Sequence, residues 1–100
     1  MIEIKRCNSG ITITGHANYA EHGKDIVCAG ISALAQNLIQ SIEELTADKI
    51  QYSMQPGTVD INYRDLSERA QLLVDSFFIG AEAIAATYPD NVKIVQALTT

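Results

Sequence analysis

The sequence predicts an α+β domain in which two β-hairpins form one sheet, mixed or antiparallel, that packs against two helices. Two pairs of segments alternate apolar and polar residues, and a turn sequence joins the members of each pair. Each pair is followed by a longer stretch whose apolar residues recur every three or four positions, which is typical of an amphipathic helix. The predicted order is therefore ββαββα, with a possible short strand at the C-terminal end.

The first hairpin is predicted over residues 2–7 and 11–16, where isoleucines alternate with polar residues around an Asn-Ser-Gly turn. Residues 17–24 have no period and are predicted to form a loop. The helical pattern begins at Asp25, the expected N-cap, and continues for about 20 residues. Its apolar stripe consists of Val27, Ile31, Leu34, Leu38, Ile42 and Leu45.

The second hairpin is predicted over residues 49–54 and 58–63, on either side of a Gln-Pro-Gly turn. Ser67 is the expected N-cap of the second helix, which Pro89 should end near residues 87–88 because proline cannot continue a helix. Residues 92–98 are rich in β-branched side chains, which favours a fifth strand over a helical tail.

Length and charge restrict the classes of function. One hundred residues correspond to a single domain, residues 1–100. Seven basic and twelve acidic residues give a net charge of −5, which argues against nucleic acid and favours a basic partner, or else serves only solubility. The N-terminal segment alternates where a signal peptide would be continuously apolar, so we expect a cytoplasmic protein with two free cysteines and no membrane association.

A cysteine–histidine active site is predicted where the strand pattern changes to the helix pattern. Cys28 falls in the first helical turn, where unpaired N–H groups and the helix dipole stabilise a thiolate. His16 ends the preceding strand and is expected to act on Cys28 as general base. The first-turn amides, including that of Cys28, are expected to bind the oxyanion. A purely structural role for Cys28 is the alternative interpretation.

Two polar residues of the helix are expected to support this site. Ser32 lies four positions after Cys28 on the same helix face, so its hydroxyl is placed to reach the sulfur or the substrate. Asp25 either orients His16 or only caps the helix.

Two glycines of the loop region complete the candidate site. Gly15 and Gly23 are expected where the backbone needs an unusual φ or a close approach, and Gly23 is also a candidate hinge. His22 lies in the middle of the loop and is expected to be solvated.

Two other classes of function stay open. One is a metal site, although the close ligand pair typical of structural zinc is absent from the sequence. Its ligands would be His16, His22, Cys28 and either Asp25 or Cys7. The other is a protein-binding module without chemistry. Residues 77–79 are three consecutive apolar residues that cannot all face one core, and this run favours a homodimer.

The motifs of this region resemble the ribosomal-processing cysteine protease family, often called Prp. The matching features are Gly15-His16-Ala17, the polar loop with Gly23, and the runs DIVCA at 25–29 and SAL at 32–34. The segment AQLLVDSFFIGAEAIAATYPDNVKI, residues 70–94, is also typical of the family. The resemblance covers nearly the whole chain.

The resemblance implies a peptidase with His16 as general base and Cys28 as nucleophile, and with no cofactor. It implies that the substrate is the N-terminal extension of one large-subunit ribosomal protein, the one numbered twenty-seven, cleaved after a phenylalanine. It also implies a homodimer and a His–Cys loop that is flexible until substrate binds. Tyr19 and Ile26 are then expected to receive the phenylalanine, and the group that orients His16 is left open.

Overall fold

Over residues 1–21 and 23–97, which the computed structural model describes, five strands form one sheet and two helices pack on it. The strands are β1 (Ile2–Cys7), β2 (Gly10–Thr14), β3 (Gln51–Gln55), β4 (Thr58–Asn62) and β5 (Val92–Gln96), and the helices are α1 (Ile26–Leu45) and α2 (Glu68–Thr87). The spatial order of the strands is β3-β4-β2-β1-β5. Neighbouring strands are antiparallel except β1 and β5, which are parallel. The sheet is therefore mixed, and the predicted α+β class is confirmed.

The core lies between one face of the sheet and the two helices. Strand pairing places Ile4 opposite Ile13, and Ile11 opposite Ile61, so that alternate residues make one apolar face. The largest fully buried side chains are Ile4, Ile11, Ile42, Ile61, Val27 and Val74. Burial of each such side chain contributes about 1.5–3 kcal/mol, which makes this layer the main source of stability.

Both helices begin at the predicted N-caps. Asp25 caps α1, and the hydroxyl of Ser67 accepts a hydrogen bond from the N–H of Ala70 at the start of α2. The stripe predicted for α1 is correct except at its end, because Leu45 is the last residue of the helix and is 57% exposed. Ala35 and Ile39 are buried in addition.

Several predicted strand boundaries are wrong by one or two residues. The second strand was expected to reach residue 16 but ends at Thr14, because Gly15 has a φ of +92° and leaves the extended conformation. His16 therefore lies in the loop and does not end a strand. The third strand covers 51–55 in place of 49–54, and the fourth ends at 62 in place of 63. The last strand covers 92–96, and Leu98 falls outside the described residues.

Some apolar side chains of the two helices are buried in the core, and others stay exposed. Phe77 and Phe78 are both buried, whereas Ile79 is 71% exposed and faces a second surface, as the three-residue run predicts. By length and composition alone, α1 and α2 are apolar enough to cross a membrane, a test that core helices of soluble proteins also pass. In this fold each helix supplies buried side chains to the core.

Candidate active site

Asp25 joins the start of α1 to the preceding loop. Its Oδ1 accepts hydrogen bonds from the N–H groups of Val27 and Cys28, each at 3.0 Å. Its Oδ2 accepts from the N–H groups of Tyr19 and Ala20, at 2.9 and 3.3 Å. These bonds, that from Cys28 foremost, hold the pKa of the Asp25 carboxyl below its ordinary value. Of the two roles considered for Asp25, the structure shows the cap, and the carboxylate also fixes the loop.

Cys28 is the third residue of α1, and its side chain is half-buried. Its sulfur accepts a hydrogen bond from the N–H of Ala17 at 3.3 Å. The Cys28 amide, expected from the sequence to bind an oxyanion, is instead occupied by Asp25. The backbone donor directed at the sulfur comes from the loop, and not from the helix.

His16 lies over the turn of the second hairpin. The N–H of Gly15 donates to the carbonyl oxygen of Gly57 at 2.9 Å, which joins the loop to this turn. Gly57 has a φ of +77°, and a Cβ built on it would lie 3.0 Å from Nε2 of His16. The imidazole therefore occupies space that a side chain at position 57 would need.

The two glycines predicted to support the site both have positive φ. A Cβ on Gly15 would lie 2.3 Å from the carbonyl oxygen of Met1, so this position requires glycine for space as well as for its φ of +92°. Gly23 has a φ of +88°, but nothing lies within 4 Å of a Cβ placed there. Its neighbour His22 falls outside the described residues, and so does the solvation predicted for it.

His16 and Cys28 line one cavity of about 570 Å³ between α1 and the β3–β4 hairpin. Among the described residues, the imidazole of His16 and the sulfur of Cys28 make no hydrogen bond with each other. Ser32 also lines the cavity, four residues along the helix from Cys28, and makes no bond to the sulfur in the described part of the chain. The site thus holds its candidate groups around a space large enough for a substrate side chain.

One wall of the cavity is apolar. It is formed by Ile2, Ile13, Ile31, Ala35, Met54 and Val59. Tyr19 and Ile26, expected to receive an aromatic side chain, are not part of the lining. Tyr19 instead packs edge-on against Tyr88, with 5.1 Å between ring centroids. The apolar surface available to a substrate is therefore that of the sheet and of α1.

The metal site considered from the sequence is not supported by the part of the chain that the structure describes. In residues 1–21 and 23–97, no three His, Cys, Asp or Glu side chains are grouped so that they could hold a metal ion. Ile2 lines the cavity at one end of β1, and Cys7 lies at the other end of this strand, about 16 Å away. Its thiol lies 3.4 Å from the carbonyl oxygen of Gly10, to which it donates.

Sequence reasoning missed three residues of the site. Gly57 was assigned only to a turn, and Ala17 only to the loop motif. Asn91, from the turn before β5, donates from its side-chain amide to the carbonyl oxygen of Ala17 at 2.9 Å. The Pro56-Gly57 pair gave a signal for a tight turn, but no sequence pattern joins Ala17 to a residue 74 positions away.

Comparisons with known proteins show the family to which the chain belongs. The family described as cysteine protease Prp matches residues 1–93. The ribosomal processing cysteine protease Prp of Bacillus subtilis (strain 168) is 32% identical over 92 residues, covering 82% of this chain and 80% of the relative. That of Staphylococcus aureus (strain Mu50) is 31% identical over 87 residues, covering 84% of this chain and 82% of the relative.

Solved structures show the same fold. The essential ribosomal processing protease Prp from S. aureus, in complex with a covalently linked product peptide, superposes with a TM-score of 0.92 at 25% identity. The match covers 97% of this chain and 100% of that one. SMU.848 from Streptococcus mutans superposes with a TM-score of 0.80 at 28% identity, over 99% of this chain and 93% of that one.

Proposed function

The chain belongs to the Prp family of ribosomal-processing cysteine proteases, and from this we propose that its active site is formed by Cys28 as nucleophile and His16 as general base. That it is a cysteine protease follows from the family match and from relatives of that name. The observation that supports the assignment of Cys28 is its position in the first turn of α1, inside the cavity, with its sulfur accepting the N–H of Ala17. Asp25, Gly15, Gly23 and Ser32 are proposed as supporting residues.

In the proposed mechanism, the thiolate of Cys28 attacks the scissile carbonyl carbon and forms a tetrahedral oxyanion. The N–H of Ala17, which points at the sulfur, is the donor that binds this oxyanion. His16, which has taken the proton of the Cys28 thiol, gives this proton to the leaving amine, so that the C–N bond breaks and a thioester remains on Cys28. Water, deprotonated by His16, then attacks the thioester and releases the acid and the thiolate.

We propose that the substrate is the N-terminal extension of the large-subunit ribosomal protein numbered twenty-seven, cleaved after phenylalanine. The apolar residues that line the same cavity as Cys28 are suited to an aromatic side chain, and a net charge of −5 is suited to a basic ribosomal protein. The chain is further proposed to act in the cytoplasm as a single domain over residues 1–100 and as a homodimer. The exposed Ile79, next to the buried Phe78, supports a second packed surface.

The test is cleavage of a synthetic peptide that spans this extension, followed by mass spectrometry. The wild-type protein should cut once after the phenylalanine, whereas Cys28→Ala and His16→Ala should leave the peptide intact. Cys7→Ser is the matched control, because Cys7 lies at the far end of β1, and it should cut like wild type. Cleavage by Cys28→Ala, or its loss in Cys7→Ser, would show that the nucleophile is assigned wrongly.

A further inference from the structure

Ala17 connects the loop to the reacting sulfur through both of its backbone groups. Its N–H donates to Sγ of Cys28 at 3.3 Å, and its carbonyl oxygen accepts from Nδ2 of Asn91 at 2.9 Å. Ala17 as a whole is 1% exposed. Two side chains from different parts of the fold therefore fix the orientation of this one residue.

Asn91 is itself held firmly. It lies in the turn between α2 and β5, where its N–H donates to the carbonyl oxygen of Tyr88 at 3.0 Å. Its own carbonyl oxygen accepts from the N–H of Ile2, the first residue of β1, at 2.9 Å. The side-chain amide of Asn91 is thus a donor whose backbone is fixed by bonds to the end of α2 and to the start of β1.

We propose that Asn91 is a positioning residue for catalysis, acting through Ala17. By holding the Ala17 carbonyl, it keeps the Ala17 N–H directed at the sulfur of Cys28, and then at the oxyanion when negative charge moves from sulfur to oxygen. Without this bond, the buried carbonyl of Ala17 has no partner, and the loop must move to expose it to water. The proposal rests on Cys28 being the nucleophile, and it assigns a role to a residue outside the His–Cys loop.

The test is the rate at which iodoacetamide alkylates Cys28, followed by peptide mass spectrometry. In Asn91→Ala this rate should fall about tenfold at neutral pH. The Ala17 N–H would no longer be held toward the sulfur, and the loss of one hydrogen bond to a charged acceptor has an effect of this size. The pH of half-maximal alkylation should move upward, and kcat should fall with KM nearly unchanged. The titratable groups that line the same cavity, His16 and Asp25, are unaltered in the variant. Cys7 in the same molecule should react at its wild-type rate.

Thr46→Val is the matched control. It removes a side-chain bond to the carbonyl oxygen of Ile42, and one from the N–H of Asp48, about 27 Å along α1 from Cys28. It should lower the melting temperature while leaving the alkylation profile and kcat unchanged. If Asn91→Ala likewise loses only thermal stability and keeps both, Asn91 is merely structural and the proposal is wrong.

A second measurement on the unmutated protein covers the case in which Asn91→Ala does not fold. In the amide NMR spectrum, alkylation of Cys28 should shift both the Ala17 N–H and the side-chain amide signals of Asn91, because they share one hydrogen-bonded chain. An unchanged Asn91 signal beside a shifted Ala17 signal would contradict the coupling. Failure of the proposed nucleophile is a separate result, because it appears as cleavage by Cys28→Ala.

Discussion

Replacing Gly57 by alanine should lower the stability of the fold and also displace the imidazole of His16, and these two effects can be measured separately. The φ of +77° at this position costs a residue with a side chain about 1–2 kcal/mol. For a domain of this size, this corresponds to a melting temperature lower by about 5–10 °C. The new Cβ would lie 3.0 Å from Nε2 of His16, closer than ordinary packing allows, so the imidazole must move. If His16 is the general base, as proposed, its displacement should reduce kcat at least about tenfold.

The assay combines thermal unfolding with alkylation of Cys28 in a double-mutant cycle. If Gly57→Ala acts on the thiolate through His16, it should slow alkylation in the wild-type background but not in the His16→Ala background. The loss of melting temperature that comes from the φ of +77° should appear in both backgrounds, because this backbone strain does not depend on the imidazole. Equal slowing in both backgrounds, or wild-type kcat in Gly57→Ala, would refute the contact as a functional one.

Three further predictions concern stability and substrate encounter. Because the pKa of Asp25 is lowered in the folded protein, its stabilising effect is full above the ordinary value of 3.8 and is lost as pH falls below it. The stability difference between wild type and Asp25→Asn should therefore shrink in acid, and a difference that stays constant from pH 6 to pH 2 would contradict this. Ile61→Ala, at a fully buried site, should cost about 2–5 kcal/mol in urea unfolding, and a loss under about 1 kcal/mol would refute its core role. Between about 0.05 and 0.5 M salt, kcat/KM for a basic peptide should fall while that for a neutral peptide should not, and equal slopes would remove the charge argument.

Much of the fold was predictable because local patterns agree with the tertiary structure. Alternating isoleucines form the apolar face of the sheet, and the 3.6-residue period forms the buried faces of α1 and α2. Asp25 and Ser67 cap the helices with bonds that involve only near neighbours in sequence. Local chemistry of this kind can be read from one sequence.

The order of the strands and the end of β2 depend on contacts that are distant in sequence. The parallel pairing of β1 with β5 joins the two ends of the chain. Gly15 leaves the strand where its N–H meets the carbonyl of Gly57, and a Cβ would strike Met1. The alternation in residues 11–16 gives no information about the contacts with Gly57 and Met1, so the strand was predicted two residues too long.

In the candidate site, too, local features could be predicted and contacts that are distant in sequence could not. His16 and Cys28 could be proposed from residue type and from position at a helix start. The contact between the Ala17 N–H and the sulfur could not be predicted, and neither could the occupation of the Cys28 amide by Asp25, on which the proposal of Ala17 as oxyanion donor rests. Asn91 follows Pro89 closely in the sequence, and only folding brings its side chain to the carbonyl of Ala17 in the loop.

The most direct test of the central claim is intact-mass analysis of the protein mixed briefly with the extension peptide and quenched in acid. The proposed mechanism predicts a transient adduct equal to the N-terminal fragment minus water, located at Cys28 by peptide mapping. His16→Ala should abolish it by removing the base, and Cys7→Ser should leave it unchanged. Cleavage with no adduct, or an adduct at Cys7, would contradict covalent catalysis by Cys28.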